Sequence, residues 1–427
     1  MTLRAALRAL WAGKPAGVET RASGAGPLLA LHSTGQPLLM PRRYEAFADE
    51  GYRRNAIVHR AVGEIARGAA SVPWRLFECR AGVRRGEAAR VPVERHALLD
   101  LLARPNPAMA RAEFVETVIG YLQIAGNSYV EAVSLETDRD GAGGEAPREL
   151  WPLRPDRTSV VPGKTGLAEG YVYRVGGAEK RWRCDPTSGR SPILHLRGFH
   201  PLNDWYGLSP LEAAAYAVDQ HNEAGKWNVA LMQNGARPSG AIVYEPKEGF
   251  GNLDDVQFAR VKGEIEEQYQ GARNAGRPML LEGGLKWQEM SLSPKDMDFL
   301  GAKHSAARDI ALAFGVPPQL LGIPGDNTYA NYQEARLALW EQTVIPLLRH
   351  LRDALNAWLA PMFGAGLELD IDLDEVPALA LRREARFRTL TVAVRAGLLT
   401  RDEARAALGH GPLEPNEDDR EEDRAGD

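Results

Sequence analysis

The stretch IALAFGVPPQLLGIPGDNTYANYQEA, residues 310–335, joins two helices through a loop rich in glycine and proline. The first helix must end at Gly315, because the Val-Pro-Pro sequence that follows lacks two main-chain N–H groups and disfavours helical backbone. Asn331 and Glu334 have the spacing of a capping box, which predicts that the next helix starts at about Tyr332. The loop between the helices is polar and carries a single charged side chain.

Another helix boundary lies upstream, at the sequence SPLE. Three residues suit the first turn of a helix. Ser209 at the N-cap and Glu212 at the third helical position can accept hydrogen bonds from its unpaired N–H groups, and the proline at the first position has no N–H group to leave unpaired. An Asn-Gly pair ending at Gly235 supplies a left-handed stop. A helix over this span would be roughly 35 Å long at 1.5 Å per residue. Such a length is unusual for an ordinary domain.

The sequence SPKD repeats this pattern at the start of the helix that ends at Gly315, with Ser293 at the N-cap and Asp296 in the first turn. Between the two helices, residues 236–292 contain two strand-like stretches, GAIVYEP and RPMLLEGGLKWQEM, around a helical one. We therefore predict a small α/β module carried between two helices.

The rest of the chain indicates an α+β fold class. Alternating helical and extended patterns fill the N-terminal part, up to about residue 205, and predict a domain of mixed structure. After the polar loop, a helix is expected to continue to about Ala360, with a kink at Pro346 in its middle. Thr400 and Glu403 then cap the last helix of a short helical region.

Composition and charge limit the function. The 427 residues carry a net charge of −5, and 44% of them are hydrophobic, which allows two or three packed domains. The segment 414–427 holds eight acids against two arginines, so the net charge of the remaining residues is +1. This acidic tail is expected to be disordered and solvated. A near-neutral body lacks the basic excess of a protein that grips phosphates. No apolar run approaches a membrane span, so no membrane contact is expected.

Candidate catalytic groups are few. The nearest approach to a metal cluster is the group His195, His200, Asp204 and His221, yet no two of its histidines have the i, i+4 spacing of a helical zinc site. The sequence contains no GxSxG, HExxH or Walker-type phosphate loop. We therefore predict no catalytic residue, no metal site and no cofactor, with solvated or hydrogen-bonded histidines as the simplest interpretation.

Two further features have more than one interpretation. Tyr129, Trp205, Trp227 and Trp340 could stack on nucleobases, although aromatic residues beside apolar helical positions more often belong to a core or a subunit interface. The arm 1–50 begins with leucines and interleaved arginines, which suits a loosely held terminus, a surface-binding helix or a transit peptide.

The order of several motifs resembles that of the portal proteins of long-tailed, siphovirus-like bacteriophages and of related gene transfer agents. These motifs are IAGNSYVEAV (124–133), LRGFHPLNDWYGLSPLEAA (196–214), QNGARPSG (233–240), IALAFGVPPQLLGIPGDNTYANYQEA (310–335), LWEQTVIPLLRHLRDALNAWL (339–359) and GLLTRDEARAALGHGPL (397–413). The resemblance covers residues 50–413, and FGVPPQLLG followed by TYANYQEA is its most specific part.

The resemblance implies an architecture by position. In chain order it consists of an N-terminal arm, an α+β wing, a stem helix, a small α/β clip, a second stem helix, a tunnel loop, a long kinked wing helix with its connection, a helical crown and an acidic tail. The corresponding ranges are 1–50, 51–205, 208–235, 236–292, 293–315, 316–332, 333–375, 376–413 and 414–427. Such subunits form a closed ring, usually of twelve copies.

The resemblance also implies a function. The ring would replace one capsid vertex of a virion or phage-like particle assembled in the bacterial cytoplasm, and would be the channel for DNA packaging and ejection. Implied partners are the major capsid protein, the large terminase subunit, the head–tail adaptor and double-stranded DNA, the last held weakly and without sequence specificity.

The tunnel loop is the segment expected to face the DNA. Its candidate residues are Gly322, Gly325, Asp326, Asn327, Thr328, Tyr329, Asn331 and Tyr332. Ion pairs to many phosphates would stop DNA from sliding, so a polar loop with one charge suits transient contact.

Rival functions stay open at the level of sequence. One is a metal-dependent cytosolic hydrolase or transferase that uses His195, His200 and His221. The other is a non-portal scaffold or adaptor protein. Such a protein could share long helices and an acidic tail with a portal protein. An infectious phage, a prophage and a gene transfer agent are all compatible sources.

Overall fold

The computed structural model describes residues 40, 43–81, 88–134, 146–164, 166–233, 240–244, 260, 263, 285–289, 299–325 and 329–408. Helices and antiparallel sheets alternate along this part of the chain, so the predicted α+β class is confirmed. Residues 1–39, most of the range 236–292 and the acidic segment 414–427 lie outside the described residues.

The helices follow one another along the whole described part. They are α1 Tyr44–Ala46, α2 Ala56–Ala70, α3 Ala97–Ala103, α4 Arg111–Ala125, α5 Pro210–Ala213, α6 Ala215–Gln233, α7 Phe299–Ala313, α8 Tyr329–Leu339, α9 Ile345–Trp358, α10 Ala380–Arg395 and α11 Arg401–Ala407. Two π-helical segments, Phe47–Arg53 and Trp340–Val344, continue α1 and α8.

The strands pair antiparallel throughout. They are β1 Trp74–Ala81, β2 Ala88–Val93, β3 Asn127–Val133, β4 Glu149–Leu153, β5 Thr158–Pro162, β6 Ala168–Val175, β7 Ala178–Arg183, β8 Ile193–Arg197, β9 Gly240–Tyr244, β10 Leu285–Glu289 and β11 Leu367–Ile371. The strand orders are β11-β1-β2, β4-β3-β8, β5-β6-β7 and β9-β10. The first sheet joins distant parts of the chain, because β11 pairs with β1 and places Ile371 opposite Trp74.

Helix α2 is central to the larger hydrophobic core. Its N-cap Asn55 accepts hydrogen bonds from the N–H groups of Ile57 and Val58, and its apolar residues recur at helical spacing. The buried residues are Val58, Ala61, Val62, Ile65, Ala66 and Ala69. They pack against α4 and share one core with the buried face of α9. Full burial of each large aliphatic side chain contributes about 1.5–3 kcal/mol.

A smaller core lies between the sheets β4-β3-β8 and β5-β6-β7. Its buried members are Tyr129, Leu153, Val160, Tyr171, Trp182 and Ile193. The buried carboxylate of Glu131 accepts hydrogen bonds from Lys180 Nζ at 2.5 Å and from Trp182 Nε1 at 3.1 Å. A buried charge with two donors is compensated, so this contact links the two sheets.

The helix predicted to run unbroken from Ser209 to Gly235 is divided. Helix α5 ends at Ala213, Ala214 has ψ 0°, and α6 continues directly to Gln233. Three consecutive alanines at this point favour continuous helix. Tertiary packing therefore causes the break, since Leu211 and Ala215 on its two sides are both fully buried.

The long helix predicted from Tyr332 to Ala360 also differs. Helix α8 starts at Tyr329, so Asn331 and Glu334 lie within it and do not form its cap. The irregularity predicted at Pro346 is the π-helical segment that precedes α9, whose first turn contains this proline. A wider turn before a proline accommodates the ring and the missing N–H group.

Candidate channel loop and its supporting helices

The candidate loop leaves α7 through a Schellman motif. Gly315 adopts φ +64°, its N–H donates to the carbonyl of Leu312 (3.0 Å), and the N–H of Val316 donates to that of Ala311 (2.9 Å). A Cβ at Gly315 would also lie 2.7 Å from Oγ1 of Thr343. The left-handed backbone and the close approach both require glycine here.

A short 3₁₀ turn follows the end of α7. It spans Pro318–Leu321, and Leu320 is buried in the larger core. Gly322 comes next with φ +73°, and its N–H donates to the carbonyl of Gln319 at 3.4 Å. The Val-Pro-Pro sequence thus ends the helix, and the glycine ends the turn.

The base of the loop is fixed to α7 by two contacts. Ile323 is buried against Ala307 and Ala311. The guanidinium of Arg308 donates a hydrogen bond from Nη2 to the carbonyl of Pro324 at 2.7 Å. The part of the loop that precedes Gly325 is therefore held against the helix.

The residues expected to face DNA fall into three groups along this segment. Gly322 and Gly325 lie in the described half of the loop, Asp326, Asn327 and Thr328 lie outside the described residues, and Tyr329, Asn331 and Tyr332 lie on α8. The structure therefore starts the helix after the loop at Tyr329, three residues before the predicted start at about Tyr332. The capping-box pattern is misleading because Asn331 and Glu334 both lie inside α8.

The start of α8 is exposed over a full turn. Residues 331–334 are all exposed, and Tyr332 retains 45% of its accessible surface, whereas the next residue, Ala335, is buried. The ring of Tyr332 is therefore accessible to another molecule.

Helices α6 and α7 pack along each other. Ala215 and Val218 share the larger core with Ile310 and Phe314. The Oγ of Ser209 accepts a hydrogen bond from the N–H of Glu212 at 2.9 Å, which caps α5. The other predicted cap residues, Gly235, Ser293 and Asp296, lie outside the described part of the chain.

Other positions of α6 and α7 expose large apolar side chains. Tyr216 and Val229 are exposed on α6, and Leu300 and Leu312 are exposed on α7. Burial of these side chains against another molecule would be favourable, because each keeps a large apolar surface in contact with water.

His195, the first histidine of the rival enzyme hypothesis, belongs to the smaller core. Its Nε2 donates to Oδ1 of Asn127 at 3.0 Å, and its ring stacks on Tyr129 with 4.3 Å between the centroids. Burial, aided by the charge of Arg197, lowers the pKa of His195 to about 3. The imidazole is therefore neutral and engaged in the fold.

The other two histidines lie in separate environments. His200 accepts a hydrogen bond at Nδ1 from the N–H of Leu202. His221 accepts one at Nδ1 from Nδ2 of Asn55 at 3.2 Å, and burial lowers its pKa. Among the residues with described positions, no three His, Cys, Asp or Glu side chains are grouped as a metal site requires. In the same residues, no helix is long and apolar enough to span a membrane.

The aromatic candidates for base stacking are mostly core residues. Tyr129 is buried in the smaller core, Trp205 packs against that core, and Trp340 packs against the larger one. Trp227 is half-buried on α6. Tyr129, Trp205 and Trp340 are therefore packing residues, as the commoner interpretation predicts.

Asn127 has a positioning role that its sequence context did not predict. Its Oδ1 accepts from the N–H of Gly207 at 2.8 Å, and its Nδ2 donates to the carbonyls of Gly207 (3.2 Å) and Ala125 (2.9 Å). The side chain thereby ties β3 to the segment that leads into α5. The only local signal is the Gly-Asn pair after α4, in which Gly126 has φ +70°.

Known proteins match this chain over most of its length. Residues 56–409 match the family model described as phage portal protein. An uncharacterized protein of Rickettsia bellii (strain RML369-C) is 44% identical over 360 residues, which cover 84% of this chain and 88% of that protein. The portal protein of Enterobacteria phage HK97 is 24% identical over 333 residues, covering 76% and 72% respectively.

A solved structure is similar as well. A chain from the neck of a native gene transfer agent (GTA) particle, computed with C12 symmetry, is 45% identical and superimposes with a TM-score of 0.64. The match covers 91% of this chain and 99% of that one. The resemblance drawn from the sequence motifs is thus confirmed: the chain belongs to the phage portal protein family.

Proposed function

We propose that the chain forms a closed ring at one vertex of a virion or phage-like particle, and that DNA enters and leaves the particle through the centre of this ring. The observation that carries the proposal is the set of large apolar side chains exposed on α6 and α7. The similar chain comes from a particle neck computed with C12 symmetry, which supports twelve subunits for the proposed ring. The role is structural and requires no catalytic residue.

The exposed leucines of α7 favour association. Leu312 is 79% exposed and Leu300 is 69% exposed, although the same helix buries Ile310 completely. Full burial of one leucine side chain contributes about 1.5–3 kcal/mol. In a closed ring every subunit has a neighbour on each side, so apolar residues on both helices can be buried together.

We assign the remaining elements by their position in the chain. Helices α5, α6 and α7 would be the stem, and the paired strands β9 and β10 would belong to the clip. The sheets that precede α5, together with α2, α4, α8 and α9, would form the wing, and α10 and α11 would form the crown. The antiparallel register of β9 and β10, with Trp287 opposite Ile242, supports one folded unit between the two stem helices.

The proposed channel contact is the loop from Gly322 to the first turn of α8. Each basic group that neutralises a phosphate adds salt-dependent affinity, and ring symmetry multiplies it. The guanidinium of Arg308 at the base of the loop is engaged by the carbonyl of Pro324. The loop therefore suits weak contact with DNA that slides past it.

The partners of the ring follow from the same assignment. We propose that the wing contacts the major capsid protein, and that the clip binds the large terminase subunit during packaging and a head–tail adaptor afterwards. These contacts would supply specificity for the vertex, since the body of the protein is close to neutral.

Electron microscopy of variants on α7 tests the proposal. Wild-type protein and the variant L300M/L312M should form closed rings with a central channel, because methionine keeps the surface apolar. The variant L300E/L312E should remain folded by circular dichroism but fail to close rings, since each interface would have to bury unpaired carboxylates. Unchanged rings from the glutamate variant would remove the observation on which the proposal rests.

A further inference from the structure

A concave site lined by arginines lies between the long helix and the start of α10. Four arginines and two acids line a cavity of about 460 Å³ together with apolar residues; the charged residues are Arg349, Arg382, Arg383, Arg386, Glu341 and Asp374. Three of the arginines lie on the first two turns of α10 at helical spacing, and Arg349 faces the cavity from α9.

Both acids of this cavity already have partners. Glu341 forms an ion pair with Arg382. Asp374 forms one with Arg75 of β1, at 3.1 Å. Neither carboxylate is thus free to neutralise the remaining arginines.

Two guanidinium groups are left without a partner. Within the part of the chain that the structure describes, the guanidinium groups of Arg349 and Arg383 form no hydrogen bond or ion pair. Arg386 donates from Nη2 only to a main-chain carbonyl, that of Ala407, at 2.6 Å. The cavity therefore has excess positive charge and an unmet capacity to donate hydrogen bonds to an anion.

A strongly acidic sequence starts close to this cavity. Ala407, which Arg386 contacts, ends α11. Segment 414–427 begins seven residues later and holds eight acids against two arginines. Because an extended chain spans at most about 3.6 Å per residue, the first of these acids lies within roughly 25 Å of the contact with Arg386.

We propose that the acidic segment 414–427 docks on the arginine cavity and covers it. Exposed ion pairs are weak individually, but a tether of a few residues places the acids at millimolar effective concentration. Bidentate carboxylate–guanidinium pairs add geometric fit. The docked segment shields Arg349 and Arg383 from other polyanions, nucleic-acid phosphates included. This inference concerns the single subunit and does not depend on the proposed ring.

Limited proteolysis of the full chain tests the docking. A protease specific for glutamate cuts after Glu417, Glu421 and Glu422, and mass spectrometry follows each cut. At low ionic strength, R349Q/R383Q should lose the segment roughly five-fold faster than wild type, or more, which corresponds to about 1 kcal/mol of docking energy. R349K/R383K keeps the charge and should retain most of the protection.

Two controls separate docking from general effects. R395Q/R401Q removes one arginine from α10 and one from α11, both outside the cavity, and should be cut at the wild-type rate. High salt should accelerate cutting of the wild-type segment without any substitution, because it screens exposed charges. Equal rates in wild type and R349Q/R383Q, or a rate insensitive to salt, would overturn the proposal. If R349Q/R383Q then also lost affinity for a fluorescent DNA duplex, the cavity would be assigned to nucleic-acid phosphates instead.

Discussion

Thr343 donates a hydrogen bond from Oγ1 to the main-chain carbonyl of Gly315 at 2.7 Å. This contact joins the end of α7 to the π-helical segment before α9. Gly315 is also the residue at which the backbone turns left-handed and α7 stops. The origin of the proposed channel loop is therefore fixed both by the local backbone and by a side chain from the long helix.

Alanine at Gly315 should destabilise the protein. A left-handed backbone costs a residue with a Cβ about 1–2 kcal/mol, and this Cβ would lie 2.7 Å from Oγ1 of Thr343. We expect Gly315→Ala to lower the melting temperature by several degrees. Gly120→Ala is the matched control, because it lies inside α4 with nothing within 4 Å of a new Cβ, and it should leave the melting temperature unchanged or raise it. Equal effects of the two substitutions would contradict this account of Gly315.

Removal of the Asn127 side chain should weaken the junction between β3 and α5. In Asn127→Ala the N–H of Gly207 loses its buried acceptor, which costs about 1–3 kcal/mol. Asn127→Asp keeps that acceptor but replaces the Nδ2 donor with a buried carboxylate oxygen that faces the same two main-chain carbonyls, so its melting temperature at neutral pH should be no higher than that of the alanine variant. A wild-type melting temperature for Asn127→Ala would show that the bonds of this side chain do not stabilise the fold.

His195 should make stability depend on pH. Its pKa is lowered to about 3 by burial, whereas an unfolded histidine has a pKa of about 6.5. Below pH 6.5 the unfolded chain binds a proton that the folded chain does not. The free energy of unfolding is therefore highest above this pH and falls as the pH drops. At pH 5 the loss is about 2 kcal/mol.

His195→Gln isolates this contribution, because glutamine can still donate to Asn127 but does not titrate. The difference in urea midpoint between pH 7 and pH 5 should be smaller for His195→Gln than for wild type. Identical differences would mean that His195 is protonated in the folded protein.

The proposed channel loop should matter for DNA and not for assembly. Replacement of residues 326–328 by Gly-Ser-Gly, combined with Tyr332→Ser, removes the side chains of Asp326, Asn327 and Thr328 and the exposed ring of Tyr332. We expect normal rings but particles with reduced DNA content, measured as nucleic acid per capsid. The same Gly-Ser-Gly replacement at residues 186–188, a turn between β7 and β8, is the control and should leave DNA content unchanged. Full particles from the loop variant would contradict the proposed contact.

Local chemistry explains which features the sequence could predict. The cap at Ser209, the end of α7 at Gly315 and the capping box at Thr400 and Glu403 depend on residues within one turn of each other. Thr400 and Glu403 do exchange hydrogen bonds in both directions. Each of these signals is contained in four to six residues, so a single sequence suffices to find it.

Features that depend on distant residues escaped prediction. The pairing of β11 with β1 brings together residues almost 300 positions apart. The break at Ala214 arises from burial on both sides of a helix-favouring sequence, and the early start of α8 overrides a misplaced capping signal. The contact between Arg308 and Pro324 likewise forms only when the loop folds back on α7. The contacts that hold the base of the candidate loop could therefore be found only in the structure. The position of the loop in the chain was predicted from the sequence.

The most direct test of the central claim is an electron cryomicroscopy reconstruction of the full-length protein, alone and co-expressed with its capsid protein. The account predicts a closed ring of twelve subunits with α6 and α7 packed against their counterparts in neighbouring subunits, and with the segment from Gly322 to Tyr332 facing the central channel. Subunits that remain monomeric under both conditions, or a ring in which this segment points away from the channel, would contradict it.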